Sequence, residues 1–148
     1  MRDSMNSLQS LNMKEVTVYG HFGRHPGLPD NYFGDDQERE GVLTSNAFNE
    51  KNSLVRIILP DKLKLIGECA FRNCVNLTGS ITIPEGVTHI GPSAFLWCNS
   101  LTGSLSLPST LEYIGGGGAV DIGGAFNGCH FNCELKLPSN LKYIGHYA

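Results

Sequence analysis

A repeat solenoid is the fold class this sequence predicts, and three observations predict it. An apolar unit ending in proline recurs as Ile57-Ile58-Leu59-Pro60, Ile81-Thr82-Ile83-Pro84, Leu105-Ser106-Leu107-Pro108 and Leu135-Lys136-Leu137-Pro138, so the prolines are spaced by 24, 24 and 30 residues. Behind each proline come an apolar residue and an Ile-Gly pair at fixed distances: Leu63 and Ile66-Gly67, Val87 and Ile90-Gly91, Leu111 and Ile114-Gly115, Leu141 and Ile144-Gly145. Ala-Phe and a cysteine then close the unit at Ala70-Phe71 and Cys74, at Ala94-Phe95 and Cys98, and, past an insertion, at Ala125-Phe126 and Cys129. Self-similarity at a period in the twenties marks stacked units, each too small to bury a core alone.

Within one unit, the alternation in Ile81-Thr82-Ile83 is that of a strand with one buried face, and Pro84 ends it because it has no N–H for a ladder. Val87 and Ile90 follow at three-residue steps, as in a compact arc returning its side chains inward. Gly91 is read as the residue that permits a turn. Ala94-Phe95 is expected on one helical or 3₁₀ turn, with Cys98 and Leu101 leading back inside. Phe71, Phe95 and Phe126 are expected between coils, and Thr82 and Ser106 on the outer face of the strands.

The chain, taken in order, opens with residues 1–12, rich in Ser and Asn and read as a loose terminus. Met13-x-x-Val16-x-Val18 places a first strand at Val16 to Tyr19. The segment from Val18 to Leu43 is 18 residues longer than the matching step from Leu59 to Ile66. It holds His21, His25, Tyr32, Phe33 and five acids from Asp30 to Glu40, and is expected to cap the end of the stack, with partner binding as one alternative and a calcium or transition-metal site as the least favoured, since it lacks EF-hand spacing and a helical ligand pair. Repeat one carries Lys51 where later copies have cysteine. Repeats two and three gain a residue by using Thr78-Gly79-Ser80 and Thr102-Gly103-Ser104 before the strand. Repeat four is interrupted by the glycine-rich stretch 115–124. No Gly-Lys-Ser/Thr follows that stretch, so it reads as a bulge rather than a phosphate loop.

The Leu54-x-x-Ile57-x-Leu59 spacing is that of a leucine-rich repeat. The fuller pattern, I-x-[IL]-P-x-x-[LV]-x-x-I-G-x-x-A-F-x-x-C-x-x-L, resembles the BspA-like (Treponema-type) leucine-rich repeats of bacterial cell-surface proteins, over Leu43 to Ala148. The resemblance implies an α/β-type, right-handed solenoid with parallel strands on its concave face and short helical or 3₁₀ turns and loops on its convex side. It implies a cell-surface or secreted location and a non-enzymatic protein-binding scaffold acting in adhesion or host-protein binding, with a structural spacer that displays another domain of a longer chain, or a glycan-binding surface, as the alternatives. The domain organisation is then a flexible terminus at 1–12, an N-terminal capping repeat with a long acidic insertion at 13–46, and leucine-rich repeats at 47–148. The last repeat is truncated, because Tyr147-Ala148 stops one residue before the expected Phe. The chain is accordingly expected to be a piece of a longer protein, and end-to-end self-association through the truncated repeat is among the partner expectations.

Charge narrows the partners. Residues 1–46 hold seven acids against four bases, whereas 47–148 hold seven of each, within an overall charge of −3. No basic track suited to phosphates exists, so nucleic acid is disfavoured. No apolar run of about 18 residues is present to cross a membrane as a helix.

Nothing in the chain assembles a catalytic or metal constellation, and neither enzyme activity nor a cofactor is expected. Cys74, Cys98 and Cys129 share one repeat position and read as a line of buried, reduced thiols; side chains on a parallel ladder point the same way, which disfavours disulfides. Cys69 and Cys133 are expected nearer solvent. Cys129-His130-x-x-Cys133 lacks the second cysteine pair of a zinc site. His89, matched to Lys64, Tyr113 and Tyr143, is expected at the surface. The candidate partner-binding surface is the concave strand face, made of Arg56, Ile58, Thr82, Ser106, Glu134 and Lys136.

Overall fold

The computed structural model describes residues 8–20, 39–117 and 123–148. The expected features within 21–38 and 118–122, namely most of the acidic insertion and the centre of the glycine-rich stretch, lie outside the described residues. In chain order the strands are β1 (Ser10–Asn12), β2 (Tyr19–Gly20), β3 (Arg39–Glu40), β4 (Val42–Leu43), β5 (Arg56–Ile58), β6 (Leu65–Ile66), β7 (Ile81–Thr82), β8 (His89–Ile90), β9 (Leu105–Ser106), β10 (Tyr113–Ile114) and β11 (Tyr143–Ile144).

Each coil contributes at two corners. At the apolar-proline corner, β1 pairs with β5 and β7 with β9, both parallel, with Leu11 opposite Ile57 and Ile81 opposite Leu105. At the Ile-Gly corner, β4, β6, β8, β10 and β11 form one parallel sheet of five strands. The Ile-Gly stretch, read from sequence as an arc, thus carries the sheet with the most strands among the described residues. Between the two corners, Leu63, Val87 and Leu111 point into a core completed by Leu54, Leu77, Leu101 and the residues of the Ala-Phe units.

The Ala-Phe units are not helical, and there is no helix among the described residues. Asn46, Cys69 and Ser93 have φ of +54 to +59°, and Glu50, Asn73 and Trp97 have φ of +58 to +61°. A left-handed residue on each side of the pair limits it to linked turns, because the left-handed region interrupts right-handed helical bonding. Those turns still form a ladder: the N–H groups of Phe48, Phe71 and Phe95 donate to the carbonyls of Ala70, Ala94 and Ala125 in the next coil, each at 2.7 Å. The Phe rings stack in the same order, with centroids 5.0–5.3 Å apart from Phe48 through Phe126. Phe71 and Phe95 are fully buried, and Phe126 is half-buried and meets Phe131 edge-on.

Four sequence expectations are corrected. The first strand is β1, inside the stretch read as a loose terminus, because Leu8-x-x-Leu11-x-Met13 carries the repeat spacing; Val16 is exposed. With Met13 as the counterpart of Leu59, the N-terminal insertion is longer than expected, since Met13 to Leu43 spans 30 positions and Leu59 to Ile66 spans 7. A strand expected at Lys136 does not pair, and Leu135 and Leu137 are about half exposed. A Cβ at Gly103 would lie 2.7 Å from the Gly79 carbonyl carbon; Cys133 brings a Cβ to that step, so the fourth coil cannot close as tightly.

His89 is the fourth correction. Its counterpart is Leu65, not Lys64, by the register of β6 and β8. A one-residue slip exchanges faces, which is why a surface position was expected for a residue only 3% exposed. Its ring stacks on Tyr113, which stacks on Tyr143, and its Nδ1 lies 2.9 Å from Thr88 Oγ1. Burial holds the imidazole down to about 4, against the opposing charge of Glu112. The unfolded chain, with an ordinary pKa of 6.5, therefore binds a proton that the fold resists. Stability contributed by neutral His89 is complete above about pH 6.5 and falls by up to about 3 kcal/mol as pH drops to about 4. Urea midpoints of wild type and His89→Leu between pH 7 and pH 4 should show the variant losing less on acidification.

Candidate binding surface

Of the expected face, Arg56, Ile58, Thr82 and Ser106 stand on β5, β7 and β9 and are all exposed. Glu134 and Lys136 are exposed as well, but on unpaired chain rather than on a continuing strand. The face is not one regular sheet. β1–β5 and β7–β9 are separate pairs, with no strand pairing between β5 and β7.

The break has a sequence cause. Leu54 to Ile57 is three steps, whereas Leu77 to Ile81 is four, and the added residue is Gly79 in a left-handed conformation, φ +83°. Thr78 N–H still bonds the Val55 carbonyl at 2.9 Å, so the chains touch before the strands and separate along them. Arg56 N–H and the Ile58 carbonyl bond toward β1, while the N–H groups of Ile81 and Ile83 donate to β9. Backbone groups alternate in direction along a strand, so those of Ile57 and Thr82 face the gap. The gap opens as a cleft of about 420 Å³ whose walls include Arg56, Ile58, Thr78 and Ser80. Sequence reasoning counted the extra residue but did not see that it splits the sheet.

A second cleft, about 490 Å³, lies between Asp61, Lys62, Lys64 and Glu85. Its charges alternate, and Glu40 is 3.8 Å from Lys62, so it offers no field of one sign. Among the described residues no group of three or more His, Cys, Asp or Glu side chains could hold a metal ion. His130 Nδ1 lies 2.9 Å from the Asn99 carbonyl, and Cys133 Sγ is 3.4 Å from Leu105 N. No helix of the described residues is long and apolar enough to cross a membrane.

The cysteine line is present. The thiols of Cys74, Cys98 and Cys129 donate to the carbonyls of Phe48, Phe71 and Phe95, at 3.0, 3.0 and 3.3 Å, and all five cysteines are free. Burial raises Cys74 to about 11, and Cys98 is raised by its hydrogen bond with Cys129 and by burial. Cys69, expected near solvent, is buried in the turn beneath Ser93, and burial raises its thiol too. A thiol reagent at pH 7.5 should therefore modify Cys133 first. Cys69, Cys74 and Cys98 should react only after denaturant, because the thiolate is the reactive form.

Residues 41–148 match the BspA type leucine rich repeat region in six copies. The chain belongs to that family. Among solved structures it is similar to a leucine rich repeat protein of T. pallidum, with 32% identity, a TM-score of 0.60, and coverage of 72% of this chain and 45% of that one. It also matches a leucine-rich repeat protein from Bacteroides ovatus, with 36% identity and a TM-score of 0.48 over 51% of this chain and 19% of that one. The chain therefore spans less than half the length of either. No curated protein sequence matches it. A leucine-rich repeat fold of stacked parallel strands is thus shared with its relatives, and such repeat domains characteristically mediate protein interaction.

Proposed function

We propose that the chain is a non-enzymatic protein-binding scaffold, part of a bacterial cell-surface or secreted adhesin, and that it contacts an extracellular host or neighbouring-cell protein. The observation that carries this reading is the cleft between β5 and β7, where Ile58 stands half exposed beside Arg56 and the backbone groups of Ile57 and Thr82 face the gap. An apolar anchor next to a guanidinium and open hydrogen-bonding groups is the material of a protein contact. Thr82, Ser106, Glu134 and Lys136 extend that contact as a polar rim. The surface location rests on family membership.

The test displays the full repeat array on beads and measures capture of purified host extracellular-matrix proteins. Reversing charge at Arg56 and Lys136 should weaken capture about tenfold, equivalent to ~1.4 kcal/mol, with an unchanged melting temperature. Equal capture by both forms would defeat the adhesin reading and favour a spacer that displays another part of a longer protein.

A further inference from the structure

The next coil shows what the cleft between β5 and β7 lacks. Between β7 and β9 the same step is filled by a side-chain oxygen. Ser80 Oγ accepts the Ser104 N–H at 2.9 Å and lies 3.0 Å from the Ser104 hydroxyl. It also occupies the space beside Gly103, where an added Cβ would meet it at 2.5 Å. One coil earlier that oxygen has no counterpart. Val55-Arg56 is one residue shorter than Thr78-Gly79-Ser80, and nothing lies within 4 Å of the missing Cβ of Gly79.

The groups left around this space are chiefly donors. Ser80 N–H, the counterpart of Ser104 N–H, meets no acceptor among the described residues. Ser80 Oγ already takes hydrogen bonds from Ser104, so its own proton is the one left to give. Ile57 N–H is the third donor. Its counterpart Ile81 donates to the Ser104 carbonyl at 2.9 Å, but Ile57 makes no such bond to the Ser80 carbonyl. Arg56 adds an exposed guanidinium that forms no ion pair with a described residue, and no Asp or Glu lines the cleft.

We infer that the cleft binds a carboxylate of the partner protein, with one oxygen where the preceding coil lacks a hydroxyl and the other on the Arg56 guanidinium. The inference rests on the scaffold reading of this cleft and names the chemistry of the partner. An ionised carboxylate only accepts, which matches three backbone and hydroxyl donors beside one cation. The Ser80 carbonyl, turned to the same gap, accepts the backbone N–H of the same partner residue. That carbonyl opposes a phosphate, which brings more negative charge and no N–H. An acidic side chain and a chain terminus both offer a carboxylate next to a peptide N–H.

The test titrates the ¹⁵N-labelled chain with three short acetylated peptides, each to about 10 mM. One has a central glutamate and an amidated end, the second has glutamine in its place, and the third is the glutamine peptide with a free carboxyl end. At least one carboxylate peptide should move the Ile57 and Ser80 amide resonances, with half-saturation at about 1 mM. A response to the glutamate peptide marks a side chain as the source, and a response to the free end marks a terminus. Arg56→Gln should weaken that binding about tenfold and Ser80→Ala about threefold. Lys136→Gln, away from the cleft, should leave it unchanged. The inference is overturned if neither carboxylate peptide moves these amides, if the amidated glutamine peptide binds equally, or if Arg56→Gln binds undiminished. Inorganic phosphate moving the same amides as strongly also overturns it, by making the cleft a general anion site. Arg56-dependent capture of a matrix protein with no peptide response would sink the carboxylate and leave the scaffold reading standing. Peptide binding with no captured protein would do the reverse.

Discussion

Phe95→Ala should lower stability by about 3–5 kcal/mol. Phe95 is fully buried and stacks between Phe71 at 5.0 Å and Phe126 at 5.3 Å. Removing it leaves a gap in the middle of the ring column, and the coils cannot collapse into it. Their spacing is held by Phe71 N–H on the Ala94 carbonyl and Phe95 N–H on the Ala125 carbonyl. Phe126→Ala, at the half-buried end of the same column, should cost less. Thr82→Ala, on the exposed face of β7, should stay within about 0.5 kcal/mol. Urea denaturation of the three variants measures this order directly; equal midpoints for Phe95→Ala and Thr82→Ala would contradict the stacking.

Much of this architecture was legible because each coil restates the last. The repeat unit, the buried Phe column, the thiol line and the outward Thr82 and Ser106 all follow from positions that recur. What failed to show in the sequence lay where one coil differs from its neighbour by a single residue. Gly79 adds a step before β7, and with it the β5–β7 ladder opens; the count was visible, but whether a strand absorbs or rejects an extra residue depends on backbone packing. Matching His89 to Lys64 moved it by one position and so to the wrong face. Val16 and Val18 imitated the repeat spacing that Leu11 and Met13 satisfy. The left-handed conformation of Trp97 was signalled only by its copies Asn73 and Gly128, residue types that adopt it readily, and not by the indole itself.

Gly91→Ala should destabilise the chain by about 3 kcal/mol or more, through overpacking that no side chain can relieve. Sequence reasoning gave this glycine a turn conformation, yet it is not among the residues of positive φ. Its requirement is proximity: an added Cβ would meet the Glu68 backbone nitrogen at 2.7 Å and the Gly67 carbonyl carbon at 2.8 Å. Both obstacles belong to the backbone of the preceding coil, which Gly91 N–H holds by its bond to the Ile66 carbonyl at 2.8 Å. Gly67 repeats the arrangement one coil earlier, against Ser45 and Thr44. To admit a methyl group, the five-stranded sheet would have to part between β6 and β8 at its centre. Gly79 supplies the contrast, since its φ is +83° but nothing lies within 4 Å of its missing Cβ. Gly79→Ala should therefore lose only the conformational preference, about 1–2 kcal/mol. Melting temperatures of the two variants separate the explanations: close approach requires Gly91→Ala to fall further, and a larger loss in Gly79→Ala would mean that backbone freedom, rather than the spacing of the coils, is what these glycines provide.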